Sequence, residues 1–217
     1  NTSSSSCQYT HSGTAWNATA TDNCVVASVT YNLTGATSGT GTSLNGVAFN
    51  LGTTTVTWTA TDGLGNTDVC QFDVTVTDVI APTVTSCASS PQNVNVDAGE
   101  CNFTQTSTAW DATATDNCTV SSITAVLTGA TTGTGLTTLN GVDFNLGTTT
   151  VTWTVTDGVG NTSTCVFNVI VTDNIAPTLT ACVGSTQNVN VDAGECNYTQ
   201  TTTAWDATTT DNCTVSS

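Results

Sequence analysis

Along most of this chain polar and apolar residues alternate, with threonine as the usual polar member. In VTWTATDG (56–63), Val56, Trp58 and Ala60 fall on one face and Thr57, Thr59 and Thr61 on the other. That period of two is the signature of a strand with one buried side. VTWTVTDG (151–158) repeats it. After a turn at DGLGN or DGVGN, the run CQFDVTVTD sets Cys70, Phe72, Val74 and Val76 against Gln71, Asp73, Thr75 and Thr77, which predicts a hairpin feeding a second half-buried strand. QNVNVDAGEC adds a short strand over 92–96. Nothing in the chain has convincing helical periodicity. Threonine fills 54 of 217 positions, and its β-branched side chain favours pleated structure over helix.

The pattern recurs. Cys7, Cys101 and Cys196 stand 94 and 95 residues apart, and Cys24, Cys118 and Cys213 follow the same steps. Cys70 matches Cys165 and Cys87 matches Cys182, while TAWNATATDNC (14–24) returns at 108–118 and 203–213. One extra residue near Leu136 accounts for the longer step. A unit of this length is too long for a solenoid repeat and should fold as its own domain. The expected boundaries are a partial repeat at 1–79, a complete one at 80–174 and a partial one at 175–217, with APT at 81–83 and 176–178 marking the seams. About seven short strands per unit predict an all-β fold of tandem immunoglobulin-like β-sandwich domains.

Charge narrows the partners. Sixteen Asp and Glu stand against no Lys or Arg, for a formal net charge of −16. Nucleic acid is excluded as a partner, because phosphate is bound mainly by Lys and Arg. Salt bridges to Lys or Arg cannot form, so packing, hydrogen bonds and covalent staples must hold the fold. Self-repulsion of the carboxylates makes calcium a candidate cofactor. Ten cysteines without a CxxC pair predict disulfides made in an oxidising compartment, hence an extracellular or cell-surface protein. No signal peptide stands at Asn1, and no apolar run approaches the ~20 residues of a membrane span. The chain reads as mature or excised, and as soluble.

The order APTVTSC, AGEC, TDNC and then GTTTVTWTVTDGVGNTSTCVFNVIVTD resembles the hyalin repeat module found in large cell-surface adhesins of gliding Bacteroidetes. The resemblance covers the whole chain and implies an immunoglobulin-like fold, export, and a role in adhesion or in spacing an adhesive tip from the cell. One departure is that Thr85 and Thr180 hold a place two before the cysteine where the family has an apolar residue, which implies a bulge there or a changed disulfide. Four cysteines per repeat allow three pairings, and sequence alone does not choose. The family pattern implies Cys87 with Cys165, first strand to last. The scheme is completed by the local pairs Cys101–Cys118, Cys7–Cys24 and Cys196–Cys213. Cys70 and Cys182 then lack partners within the chain, either because those lie beyond it or because Cys182 meets Cys70 of another copy.

Chemistry is sparse. His11, the only histidine, aligns with Gln105 and Gln200, and without Lys or Arg the usual means of activating a nucleophile or stabilising an oxyanion are missing. The chain is expected not to be an enzyme. Asp62 with Asn66, Asp157 with Asn161, and Asp78 and Asp173 beside the seams are the candidate metal ligands, set against the simpler reading that such side chains cap turns. Asp22, Asp116 and Asp211, each before Asn-Cys, are equally ambiguous. Glycosylation sequons fall at Asn17, Asn32, Asn102, Asn117, Asn161, Asn197 and Asn212. The recurring tryptophans read as core rather than as a sugar platform. Two functions follow. The first is a structural stalk or filament segment of an exported adhesin, partnered by neighbouring repeats or copies of itself. The alternative is a multivalent module that binds surface glycans or calcium.

Overall fold

The computed structural model describes residues 1–3 and 5–214. The chain is all-β, and no helix among the described residues is long and apolar enough to cross a membrane. The first repeat holds β1 (Gln8–Thr10), β2 (Val26–Gly35), β3 (Gly39–Gly41), β4 (Ala48–Asn50), β5 (Gly52–Asp62) and β6 (Thr67–Val76). A sheet of order β3-β2-β5-β6 faces the small pair β1-β4. The threonine alternation sets the register: Val56 lies opposite Leu33 and Phe72, and Trp58 opposite Tyr31 and Cys70. One face therefore gathers Tyr31, Leu33, Val56, Trp58, Val74 and Val76 over Phe49 of β4 and Leu44. The Trp58 indole packs edge-on to Tyr31 at 5.4 Å and donates to the Trp16 carbonyl at 3.1 Å.

The second repeat repeats the plan through β7 (Thr83–Ser86), β8 (Gln92–Asn95), β9 (Asn102–Thr104), β10 (Thr113–Thr115), β11 (Val120–Gly129), β12 (Gly133–Leu136), β13 (Asp143–Asn145), β14 (Gly147–Asp157) and β15 (Thr162–Thr172). Its sheet runs β12-β11-β14-β15-β8, and β8 joins parallel to β15 with Val169 opposite Gln92 and Val171 opposite Val94. Along β14, Thr149, Val151, Trp153, Val155 and Asp157 are all buried on one face. Trp110 packs on Phe103, Phe144 and Phe167 at 5.7, 5.6 and 6.3 Å, so one ring joins β9, β13 and β15. These are tandem immunoglobulin-like sandwiches. The register between β7 and β10 slips so that Ser86 faces Thr113 and Val84 faces Ala114. The intervening Thr85 is the residue passed over by this slip, and its hydroxyl lies 2.9 Å from that of Thr113. In the third repeat β16 (Thr178–Ala181) pairs with β17 (Thr208–Thr210), and the last three residues lie outside the described ones.

By compactness the chain divides into Asn1–Cys87 with Ala112–Thr124 and Trp153–Cys165, and Ala88–Asp111 with Ala125–Thr152 and Val166–Ser217. The part of the second repeat nearest the first groups with it, so repeat and compact unit are different divisions of the chain.

Candidate functional site

Of the residues singled out by the sequence, Cys7, Asp78, Asp116, Asn117 and Cys118 come together at the junction of the first and second repeats, within the first compact unit. Each TDNC segment is an Asx turn. Oδ1 of Asp22, Asp116 and Asp211 accepts the backbone N–H of Cys24, Cys118 and Cys213 at 2.7, 2.8 and 2.9 Å. The asparagine between them reaches to the preceding repeat. The Asn117 amide donates to Thr2 Oγ1 at 3.2 Å and to Asp78 Oδ1 at 3.4 Å. The Asn212 amide donates to the Glu100 carbonyl at 2.7 Å. Asp78, 7% exposed, also accepts from Thr2 Oγ1 at 3.0 Å and the Ile80 N–H at 3.1 Å.

Here the structure corrects the expected disulfides. Cys7 pairs with Cys118 and Cys101 with Cys213, with Cα separations of 4.5 and 4.7 Å, rather than Cys7 with Cys24, Cys101 with Cys118 or Cys196 with Cys213. The register explains why. Cys7 precedes Gln8, which faces Asn50 at the Gly52 end of β5, whereas Cys24 precedes Val26, which faces Asp62 at the other end. At ~3.3 Å per residue an eleven-residue strand separates the two by roughly 30 Å, far beyond the ~7 Å that a bridge spans. The cysteine at one end of a sandwich therefore meets the cysteine presented by the next repeat. Cys87 is bonded to Cys165, and Cys24, Cys70, Cys182 and Cys196 are exposed thiols.

Asp62 and Asp157 are turn caps. Asp62 Oδ1 accepts the N–H groups of Leu64 and Asn66, both at 2.8 Å, and its Oδ2 takes the Asn66 amide at 2.7 Å. Asp157 does the same with Val159, Gly160, Asn161 and the Asn161 amide. The Asn66 amide and the backbone donors hold the Asp62 carboxyl below its ordinary value. At Asp157 burial pushes upward, and the Asn161 amide with the backbone N–H groups outweighs it. Asp173 caps the Ile175 N–H at 2.9 Å. The ligand sets that the structure brings together keep the seam residues Asp78 and Asp173 of the expected list and give them new neighbours: a carboxylate oxygen of Asp78, one of Asp116 and Cys118 Sγ lie within 4.8 Å of one another, as do those of Asp173, Asp211 and Cys213. Asp116 and Asp211, left ambiguous by the sequence, gain their place only from the fold.

Among the sequons, Asn32 and Asn197 are exposed and Asn102 is half-buried. The amides of Asn17, Asn117, Asn161 and Asn212 are engaged by protein acceptors, bonds that a glycan there would break. Trp58, Trp110 and Trp153 are buried and Trp16 is half-buried. His11 is buried flat against Trp16, with ring centroids 3.8 Å apart.

Residues 8–76 match the HYR domain. Over 176 residues the chain is 31% identical to the "Serine-rich adhesin for platelets" of Staphylococcus aureus strain MRSA252, an alignment covering 78% of this chain and 12% of that protein. The same adhesin of strain MSSA476 matches at 31% identity over 78% of this chain and 7% of its own length. The chain thus spans only 7 to 12% of the curated relatives it matches. Drosophila N-cadherin EC1-4 is similar in structure over 67% of this chain and 41% of that one, at 16% identity and a TM-score of 0.32. Residues 8–76 form an HYR-type module. The chain's disulfides and its adhesin relatives place it outside the cell or on its surface.

Proposed function

We propose that this chain is a load-bearing stalk segment of an exported surface adhesin, made of HYR-type repeats, without catalytic activity. The observation that carries this is the overlap of the bridges: Cys7–Cys118, Cys87–Cys165 and Cys101–Cys213 interlock along the chain. Tension applied at Cys7 and Cys213 passes through two of them and the backbone from Cys101 to Cys118, about 17 residue steps. At ~3.4 Å per residue that path extends to roughly 60 Å, against about 700 Å for the unbridged chain. While the bridges hold, force can extend only that segment, and the rest of both sandwiches is shielded from it.

The arrangement also favours continuation by further repeats. β15 is covered by β8, whereas β6, its equivalent, has no such partner among the described residues. Cys70 is exposed where Cys165 is buried, and Leu179, Val189 and Val191, equivalents of Val84, Val94 and Val96, are 61, 47 and 61% exposed. A strand of the β8 type from another repeat, in the same chain or a second copy, completes β6. Four exposed thiols then acquire partners by the same rule that pairs the other six cysteines. Single-molecule pulling between residues 7 and 213 tests the reading. Oxidised chain should stretch by no more than about 60 Å before rupture, and reductant should release several hundred ångströms more. Full extension without reductant would refute the load-bearing role.

A further inference from the structure

Three oxygens at the junction lack donors. Asp78 is 93% buried by its 7% exposure, and its Oδ1 receives Thr2, Ile80 and Asn117 while its Oδ2 has no partner. Asp116 spends Oδ1 on the Cys118 N–H and leaves Oδ2 buried without one. Asn117 turns its amide nitrogen toward Thr2 and Asp78, which leaves its Oδ1 buried and unmatched as well. An ionised carboxylate withdrawn from water without a counter-charge is costly, and two lie side by side here in a chain that has neither Lys nor Arg.

We infer that Asp78, Asp116 and the Asn117 carbonyl form a binding site for a hard divalent cation, calcium, at the junction of consecutive repeats. The donor set selects the ion. Cys118 Sγ is close, but it is bonded to Cys7 and supplies no thiolate, so the ligands are oxygens and favour calcium over zinc or copper. A pocket of about 260 Å³ lined in part by Ile80, Thr83, Thr115, Asp116 and Asn117 opens alongside and accommodates the waters that complete six to eight ligands. With so few protein oxygens, affinity falls in the ~10⁻⁴ to 10⁻³ M range of extracellular modules. The constellation recurs: Asp173 and Asp211 approach in the same way, and Asp211 Oδ2 and Asn212 Oδ1 are again buried and unmatched. A cation here ties the Asx turn that presents Cys118 to the segment leaving β6, so it stiffens the point at which the bridge is made. The inference does not depend on the load-bearing role, since an ion can bind whether or not the segment carries tension.

The test is calorimetric titration of calcium into the full, disulfide-intact chain after chelator treatment, at pH 7. Saturable binding with a dissociation constant near or below ~1 mM is expected. D116N, which keeps an acceptor for the Cys118 N–H, should weaken one site at least tenfold, and D78N should do the same, while D62N at a surface turn leaves the titration unchanged. Mapping of the Cys7–Cys118 bridge in each variant establishes that the junction is formed. No saturable heat up to ~10 mM calcium, or binding that survives both D78N and D116N with the bridge intact, overturns the site and assigns any residual binding to surface carboxylates.

Discussion

Buried threonine hydroxyls do work at the residue scale that the composition hides. Thr54 is fully buried, and its Oγ1 accepts the Thr37 N–H at 3.0 Å while Thr37 Oγ1 accepts the Asn50 N–H at 2.8 Å. Thr149, Thr131 and Asn145 repeat both bonds at the same distances. Thr54→Val keeps the shape and removes the acceptor, leaving a buried N–H unmatched, so stability should fall by about 1–3 kcal/mol in chemical denaturation. Thr53→Val, on the exposed side, should change it by less than about 0.5 kcal/mol. The turn carboxylates set an acid limit. Asp62 and Asp157 titrate lower in the folded chain than their ordinary value of 3.8. Their contribution is therefore full above that value and lost as pH falls through the lowered folded one. Thermal melts from pH 6 to 2 should show the melting temperature dropping below about pH 4, less steeply for D62N and D157N.

Glycine decides geometry at the scale of strands. Gly35 ends β2 with φ of +97°, and a Cβ built there would lie 2.6 Å from the Thr53 carbonyl oxygen. Gly129 repeats this with φ of +102° and the Thr148 carbonyl at 2.5 Å. Backbone cannot yield as a side-chain tip can, so both positions exclude any side chain. Gly35→Ala should destabilise by more than the ~1 kcal/mol that separates glycine from alanine in compatible positions, measurable as a lower denaturation midpoint with unchanged slope. Gly13→Ala is the comparison: φ is +92° there too, but nothing lies within 4 Å of the added carbon, so the loss should be smaller.

For the whole molecule, the bridges between repeats dominate. Cys7–Cys118 closes 111 residues, a loop whose constraint on the unfolded chain is worth on the order of 4–5 kcal/mol. Cys7→Ser should expose a free Cys118 thiol and lower the melting temperature, whereas Cys24→Ser, at an already exposed thiol, should leave both unchanged. Thiol alkylation with peptide mapping by pepsin distinguishes the outcomes, since the chain has no site for trypsin. A free Cys118 alongside unaltered stability would remove the bridge from the account of what holds the repeats.

The strands, the repeat length and the lack of Lys and Arg were legible in the residues themselves, because period-two alternation is local and a missing residue type is missing in every conformation. Val56, Trp58 and Val74 face inward in the fold as their spacing predicts. The resemblance gave Cys87–Cys165, which the structure contains, but the bridges between repeats were not legible. Cys7 and Cys24 are near in sequence and lie at opposite ends of β5, a separation that becomes visible only when Gln8 is set against Asn50 and Val26 against Asp62. Likewise Asp62 and Asp157 look like ligands by composition and are consumed by their own turns. Asp78 and Asp116 become neighbours because a long-range junction places them there. Sequence alone determined which residues alternate and recur. Which cysteine meets which, and which carboxylates face one another, was decided by strand register and by the contact between one repeat and the next, which no local pattern encodes.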